Sequence, residues 1–274
     1  MAAWRSLHPR GHGRSVWRTP GGGPLVTEHA RKAADGELVW TRDMVHRFWA
    51  YERRREENYF SFQVGGVVAR RFRRHLQGRV VDYGAGTGFL LDELLAAGVR
   101  CGAVEFGEHA TAALADQFAG RAGFLGARSS GNLAEWKGTF DAAFLLEVVE
   151  HLYDEDLQEC LSSVRSLLKP NGLLIVTTPN EEDRSRSFIC SPESGLLFHR
   201  YQHVRSWNAE TLSEALAASG FAVSEIGATD FGAHPAAHKR TMSLPVRLAR
   251  SAATRMLMRT PHLYAVASPA ASGG

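Results

Sequence analysis

From residue 78 onward, short apolar runs alternate with segments whose apolar positions recur every three or four residues. Runs of the first kind predict strands, and segments of the second kind predict amphipathic helices. The predicted strands are RVVDY, RCGAVEF, AGFLGA, FDAAFLLE, LLIVTT, FAVSEIGATDF and HLYAVAS. Strands that alternate with helices indicate an α/β fold, in which a doubly wound parallel sheet carries helices on both faces.

The pattern divides the chain into three parts. Residues 1–38 contain glycine-rich and arginine-rich stretches without apolar periodicity, and they predict a flexible leader. Residues 39–77 have helical periodicity and predict an N-terminal helical lid. Residues 78–270 contain the strands and helices of the main domain, with a helical insert at about 243–258 before the last strand.

Two stretches are expected to cover a binding crevice. The aromatic side chains of Tyr59, Phe60 and Phe62 in the helical lid are placed to lie over a ligand, although packing in the core explains them equally well. Residues 179–207 form a long loop, and long loops in compact domains usually carry function. Both stretches should meet the carboxyl ends of the parallel strands, where ligands bind in open α/β sheets.

Composition narrows the class of protein. The 274 residues are 44% hydrophobic and 22% charged, as in globular proteins, and the net charge of +3 is too small to indicate nucleic-acid binding by itself. No apolar run is long enough to span a bilayer. Cys101, Cys160 and Cys190 are odd in number and lack paired spacing, so reduced thiols and a cytoplasmic location are expected.

A glycine-rich turn, VVDYGAGTG, directly follows the first predicted strand and precedes a helix. Glycines there let the backbone turn tightly and approach a ligand closely. The dinucleotide fingerprint G-x-G-x-x-G fails because Phe89 occupies its last position, and the Lys of a phosphate-binding loop is absent. Glu105 ends the next strand, at about the ~20-residue interval where an acidic side chain binds ribose hydroxyls in such folds.

The stretch LLEVVEHLYDEDL follows the fourth predicted strand and holds Glu147, Glu150 and His151 at spacings of three and four. If this stretch is helical, the three side chains lie on one helix face. They form a catalytic cluster, a metal site or the polar side of an ordinary helix. The position at a strand's carboxyl end argues against the plain polar face for His151.

With these motifs, the chain from about residue 42 to 268 resembles the class I S-adenosylmethionine-dependent methyltransferases. VVDYGAGTGFLLDELL resembles their first motif, AVEFGEHA the second, and FDAAFLLEVVEHLYDEDLQECLSSVRSLLKPNGLLIVTTPN the later ones. HVRSWNAETLSEALAASGF is similar to the branch of ubiquinone-biosynthesis O-methyltransferases and natural-product methyltransferases. The resemblance implies a Rossmann-like sheet of seven strands, with HLYAVAS as an antiparallel last strand, and S-adenosyl-L-methionine as cofactor.

Carried onto this sequence, the resemblance implies a set of cofactor contacts. The residues expected to line the methionine part are Asp82, Gly84, Ala85 and Gly86. Glu105 would hold both ribose hydroxyls, and Phe106 would lie against the adenine ring.

The resemblance also implies contacts beyond the first two strands. The family often has an Asp in the loop after the third strand, whereas this chain has GARSSGNLAEW, in which Asn132 and Leu133 are the candidates. Leu146 and Glu147, at the end of the fourth strand, would face the transferred methyl group.

The favoured function is methyl transfer to an oxygen or nitrogen of a small-molecule acceptor, without a metal. His151 is the preferred general base, because imidazole accepts protons near neutral pH. Glu147 would lie near the methyl group, and His203 in the long loop is a third catalytic candidate, with solvated loop histidines as the alternative for it. No membrane partner is expected.

Two other functions stay open. EVVEH together with QHVRSW resembles metal-dependent small-RNA 3′-terminal 2′-O-methyltransferases. In that comparison a divalent cation would be held by Glu147, Glu150, His151 and His203. A non-catalytic cofactor-binding protein is the third hypothesis, and the intact glycine turn with Glu105 argues against it. The sequence does not define the acceptor or the oligomeric state.

Overall fold

The computed structural model describes residues 36–256 and 260–270, so most of the predicted leader, residues 1–35, lies outside the described residues. The helices are α1 (Arg42–Glu52), α2 (Phe60–Arg71), α3 (Phe89–Ala96), α4 (Glu108–Gln117), α5 (Asp154–Leu167), α6 (Ala209–Ala218) and α7 (Leu244–Met256). The strands are β1 (Arg79–Tyr83), β2 (Arg100–Glu105), β3 (Phe124–Ser129), β4 (Phe140–Leu146), β5 (Leu168–Pro179), β6 (Phe188–Cys190), β7 (Leu197–His199), β8 (Phe221–Thr229) and β9 (His262–Pro269).

One seven-stranded sheet organises the described residues, in the order β3-β2-β1-β4-β5-β9-β8. The pairs β1–β2, β1–β4, β2–β3 and β4–β5 are parallel, whereas β9 runs antiparallel to both β5 and β8. The seven strands predicted from apolar runs are all present, and the antiparallel last strand is confirmed. Helix α7 confirms the predicted helical insert before β9.

The sheet is buried on both faces, which explains why its central strands read as continuous apolar runs. One face packs against α5 and α6 through side chains such as Leu161 and Leu216. The other face packs against α2, α3 and α4, with Val68 and Leu91 fully enclosed. Within the described ranges, no helix combines the length and the apolar character needed to cross a membrane.

The segment 179–207 is more ordered than the expected loop. Strands β6 and β7 form a small antiparallel hairpin in it, and Phe188 pairs with His199. The N-terminal segment joins this hairpin, because the Leu38 N–H donates to the Leu197 carbonyl over 2.7 Å. Strands of three residues are too short to produce an apolar period, which is why the sequence predicted only a loop here.

The stretch after β4 is not the helix that the spacing of its charged residues suggested. Glu147 has left-handed backbone geometry with φ +52°, and a single 3₁₀ turn covers Val149–His151 before α5 begins. The Glu150 carbonyl accepts a hydrogen bond from the Val204 N–H at 2.9 Å, which ties the turn to the 179–207 segment. The positions of the three polar side chains are therefore set by tertiary contacts and not by a shared helix face.

Candidate functional site

Strands β1, β2 and β4 are neighbours in the sheet, so their carboxyl ends meet at one edge. The glycine turn follows β1, Glu105 ends β2, and Glu147 follows β4. The backbone N–H groups of Gly84 and Ala85 donate to the Val104 carbonyl at 2.9 and 3.2 Å, and these bonds hold the turn against β2. The crevice expected at this edge therefore brings together the three motifs identified in the sequence.

The turn between β1 and α3 requires glycine at Gly84, Gly86 and Gly88, whose φ angles of +80°, +59° and +82° are strained for other residues. The Gly86 N–H donates to the Glu105 carboxylate. A Cβ added at Gly86 would lie 2.9 Å from Cε1 of Tyr59, so the backbone and the lid approach closely only because no side chain intervenes.

Two carboxylates lie beneath this turn. Asp82 is 2% exposed and its Oδ2 has no hydrogen-bond partner. Burial, together with the nearby Glu105 charge, raises the pKa of Asp82 to about 7. Burial likewise raises the pKa of Glu105, although the Gly86 N–H partly offsets this. A buried carboxyl oxygen without a hydrogen-bond partner, beside a second acidic side chain, favours a ligand that brings cationic and hydroxyl groups, as S-adenosylmethionine does with its ammonium, sulfonium and ribose.

The other residues expected to contact the cofactor surround the same edge. Ala85, Leu133 and Leu146 are buried, whereas Asn132 is exposed in the turn after β3. The Phe106 ring is 46% exposed beside Glu105 and meets the Tyr83 ring edge-on at 5.8 Å between centroids. An exposed ring at this edge is available to a planar ligand.

The N-terminal helices pass over all three strand ends. A Cβ at Gly107, just beyond β2, would lie 2.8 Å from the His46 ring. The Trp49 indole meets the His151 ring edge-on, with centroids 4.9 Å apart, and Tyr59 lies over the turn after β1. Helix α1 and the turn that follows it therefore form a cover across the crevice.

The aromatic residues of α2 have another place. Phe60 packs against His262 with centroids 4.8 Å apart, and Phe62 meets Phe89 edge-on at the same distance. These two rings pack in the core, which was the alternative to lying over a ligand. Of the three aromatics, Tyr59 is the one that lies over the glycine turn.

Two glutamates follow β4 and are held by the end of β5. The Thr177 hydroxyl donates to Glu147 and the Thr178 hydroxyl donates to Glu150, each at 2.9 Å. Burial raises the pKa of Glu147 to about 8, and burial together with the Glu147 charge raises the pKa of Glu150 well above its usual range. Oε1 of Glu150 has no hydrogen-bond partner.

His151 is fixed by contacts from both the lid and the 179–207 segment. Its Nδ1 lies 3.4 Å from the Gln202 carbonyl, and the Gln202 amide donates to the His151 carbonyl at 3.0 Å. The Trp49 indole N–H donates to the same Gln202 side chain at 3.0 Å. Burial and the neighbouring His203 keep the pKa of His151 well below its usual value, so the ring is neutral at physiological pH.

His203 does reach the cluster, as the sequence suggested. Its ring centroid lies 4.9 Å from that of His151, and its Nδ1 lies 2.5 Å from Oε2 of Glu182. The ring stacks on His199 at 4.4 Å, and Oε1 of Glu182 lies 3.4 Å from Nε2 of His199. Burial lowers the pKa of His203, against the opposing effect of Glu182.

Sequence reasoning missed Glu182, Gln202 and Trp49 as parts of this site. Glu182 carried a usable signal, because only two residues separate EED from the predicted fifth strand, LLIVTT, which places it near the same sheet edge. Gln202 carried none, since its role depends on left-handed backbone geometry, φ +63°, and complete burial within a segment without periodicity.

Three residues of the proposed metal set converge. Glu150, His151 and His203 each offer one ligand atom, and these atoms lie within 4.8 Å of one another. Glu147, the fourth member, is not part of that group. Glu182, His199 and His203 form a second such group, but Nδ1 of His199 accepts backbone N–H groups from Tyr201 and His203 at 3.3 and 3.2 Å. A neutral His199 must then carry its proton on Nε2, which cannot ligate a cation.

A Rossmann-like sheet with an antiparallel last strand, a glycine turn after β1 and an acidic residue ending β2 is the arrangement that the resemblance to S-adenosylmethionine-dependent methyltransferases implies. Residues 33–226 match the family model described as Methyltransferase domain, Methyltransf_23. The chain belongs to this family. S-adenosylmethionine fits the crevice, where the buried Asp82 has a carboxyl oxygen without a hydrogen-bond partner, Glu105 is half-buried and Gly86 lacks a side chain.

Similar proteins agree with this assignment. A ubiquinone biosynthesis O-methyltransferase of Caulobacter sp. (strain K31) is 35% identical over 105 residues, which are 37% of this chain and 41% of that protein. A probable S-adenosylmethionine-dependent methyltransferase of Mycolicibacterium smegmatis is 29% identical over 174 residues, 62% of each protein. The chain thus matches less than two thirds of the length of either relative.

Solved structures share the fold. The 1,6-didemethyltoxoflavin-N1-methyltransferase of Burkholderia thailandensis superposes with a TM-score of 0.57 at 17% identity, over 85% of this chain and 92% of that one. A putative methyltransferase solved with the Haloferax volcanii Trm112 activator gives a TM-score of 0.55 at 17% identity, over 86% of this chain and all of that one.

Proposed function

We propose that the protein transfers the methyl group of S-adenosylmethionine to an oxygen or nitrogen of a small-molecule acceptor at the carboxyl end of β4. The observation that carries this proposal is the juxtaposition of the glycine turn and Glu105 with two imidazoles, His151 and His203, under one helical cover. The three free cysteines are compatible with a reducing compartment, so we also propose a cytoplasmic location.

Each group of residues has its own role in the proposed reaction. When bound, the cofactor supplies a methyl group already activated on a sulfonium. The lid residues Trp49 and Tyr59 exclude water, which favours an acceptor held in line with that methyl group. His151 and His203 offer neutral imidazoles that can accept the proton of an acceptor hydroxyl or amine. Glu147 lies at the end of β4, where we expect the methyl group.

The names of similar proteins support a small acceptor. The Caulobacter relative is a ubiquinone biosynthesis O-methyltransferase, and the Burkholderia structure is that of a 1,6-didemethyltoxoflavin-N1-methyltransferase. Both names denote methylation of a small molecule, one at oxygen and one at nitrogen. We therefore propose a small molecule whose oxygen or nitrogen accepts the methyl group.

The substitution His151→Ala tests the proposed role. Turnover of a panel of phenols and amines with radiolabelled S-adenosylmethionine should fall by roughly 10² or more, the usual worth of a positioned base. Affinity for S-adenosylhomocysteine, measured by calorimetry, should stay the same. His109→Ala, which removes an exposed imidazole from α4, is the matched control. Unchanged turnover in His151→Ala would remove His151 from the mechanism.

The convergence of Glu150, His151 and His203 supports a second candidate, a cation-dependent methyltransferase such as the RNA 2′-O-methyltransferases that EVVEH resembles. Imidazole and carboxylate together suit several divalent ions. We would measure methylation of small phenols and of short RNA with and without chelator. If activity collapses in chelator, returns with Mg²⁺ or Mn²⁺, and His203→Ala is as harmful as His151→Ala, this candidate replaces the first. Activity that is indifferent to chelator would eliminate it.

A further inference from the structure

Glu182 joins two imidazoles at the rim of the crevice. It follows β5, and its two carboxylate oxygens lie 2.5 Å from Nδ1 of His203 and 3.4 Å from Nε2 of His199. Burial alone would raise the pKa of Glu182, but the nearby imidazoles of His199 and His203 outweigh burial and lower it to about 2. This carboxylate is therefore charged and acts only as a hydrogen-bond acceptor at physiological pH.

The hydrogen bonds around these rings determine where the protons lie. Nδ1 of His199 accepts two backbone N–H groups, so the neutral ring carries its proton on Nε2, on the side of Glu182. Because a carboxylate can only accept, Nδ1 of His203 must also carry a proton and donate it to Glu182. Neutral His203 is then left with an unprotonated Nε2.

The free nitrogen of His203 has a defined neighbourhood. Nδ1 is engaged by Glu182, and the ring is 8% exposed. The ring lies edge-on to His151, in the group where Glu150, His151 and His203 place one polar atom each within 4.8 Å of the others. Nε2 of His203 is therefore the nitrogen available to a molecule bound at the end of β4.

We propose that Glu182 is a positioning residue for catalysis: it fixes His203 as the Nδ1–H tautomer and so presents the Nε2 lone pair of His203 to the nucleophilic O–H or N–H of the acceptor. The role toward the acceptor rests on the proposed function, whereas the tautomer of His203 does not depend on it. Carboxylates that hold the far nitrogen of a functional histidine commonly set both its tautomer and its orientation.

The tautomer can be measured in the free protein. Two-dimensional ¹⁵N NMR of the histidine rings should show His203 with a protonated Nδ1 and a bare Nε2 in the wild type. In Glu182→Ala the carboxylate is gone, and His203 should shift toward the Nε2–H tautomer. In Glu182→Gln only one amide oxygen remains to accept, so the two rings cannot both face an acceptor oxygen as they do now. Glu181→Gln changes the exposed neighbour and should reproduce the wild type.

The kinetic result should follow the tautomer. We expect kcat to fall about tenfold or more in Glu182→Ala and Glu182→Gln, the usual effect of losing such a partner, with calorimetric affinity for S-adenosylhomocysteine unchanged. Glu182→Asp keeps the charge and should recover part of both the tautomer and kcat.

Failure of this inference differs from failure of the proposed function. His203 ring shifts that are the same in Glu182→Ala and in the wild type would overturn the positioning role, even if the protein methylates small molecules. An Nε2–H tautomer in the wild type would overturn it as well. Loss of the Nδ1–H tautomer without any change in kcat would also overturn it, because the tautomer would then be irrelevant to turnover. A chain that methylates no small acceptor but shows the expected tautomers would refute only the proposed function.

Discussion

At the scale of single residues, the site combines carboxyl groups in opposite states. Asp82 and Glu147 have raised pKa values because they are buried, whereas Glu182 has a lowered pKa because the imidazoles of His199 and His203 lie against its carboxylate. The raised groups lie at the ends of β1 and β4, where a cationic cofactor and an acceptor are expected to bind. Glu182 instead stays charged beside the histidines, as a structural anchor would.

Asp82 should make the ligand-free protein less stable as pH rises. The pKa of Asp82 in the folded protein, about 7, lies above the ordinary value of 3.8. Its contribution to the free energy of unfolding is therefore fully present below about pH 3.8 and is lost as pH rises to about 7. Denaturant unfolding at pH 5 and pH 8 should show a smaller loss of stability in Asp82→Asn than in the wild type. Asp116→Asn, at an exposed position on α4, is the control and should lose as much as the wild type. Equal losses in all three proteins would refute the raised pKa.

The sequence predicted the part of the site around the glycine turn but not the part contributed by the 179–207 segment. The glycines, Asp82 and Glu105 belong to local strand-turn-helix patterns, so the sequence predicted their meeting at one sheet edge. Glu182 and Gln202 join the site through the folding of the 179–207 segment onto β4 and β5. No local period in the sequence predicts the contacts of Gln202, whereas the position of Glu182 just after the fifth strand was the one available signal for that residue.

At the scale of elements, helix α1 both covers the crevice and contacts the histidine cluster. The Trp49 indole contacts the His151 ring and donates to Gln202, which in turn donates to the His151 backbone. The Arg184 guanidinium forms an ion pair with Glu37 and donates to the His203 carbonyl at 3.1 Å. The N-terminal segment and the 179–207 segment therefore hold the two histidines between them.

Removal of the Trp49 ring should damage turnover without damaging the fold. Trp49→Ala deletes the edge contact and the hydrogen bond to Gln202, so His151 gains freedom, and we expect kcat to fall about tenfold or more with little change in the unfolding midpoint. Tyr51→Ala removes a ring of the same helix that is 57% exposed, and it should behave as the wild type. Equal kcat values for the two variants would show that α1 does not position His151.

Element prediction failed where the backbone departs from regular periods. Glu147, Glu150 and His151 have helical spacing, yet Val148 and Val149 are β-branched and the turn is fastened to Thr178 of β5 and to Val204. Tertiary hydrogen bonds decided the geometry there. The seven strands and the insert helix, in contrast, follow from apolar patterns that one buried sheet imposes along the whole chain.

At the scale of the whole molecule, the crevice lies between a well-packed sheet and a cover that has few buried residues. The sheet is enclosed on both faces by apolar side chains. Helix α1 has little buried surface of its own, with Glu52 its single buried residue. Elements with few buried apolar contacts open more readily than a core, and covers of binding sites are drawn from them.

Ligand binding should therefore protect the cover more than the distant part of the sheet. With S-adenosylhomocysteine bound, hydrogen exchange at short times should slow in α1 and in residues 84–88, while α6 and β8 at the far side of the sheet keep their rates. Short labelling times matter, because any ligand slows exchange through global unfolding everywhere. If exchange slows in residues 84–88 but keeps its rate in α1, the cofactor binds without engaging the N-terminal helix. The proposed lid would then be only a fixed part of the fold.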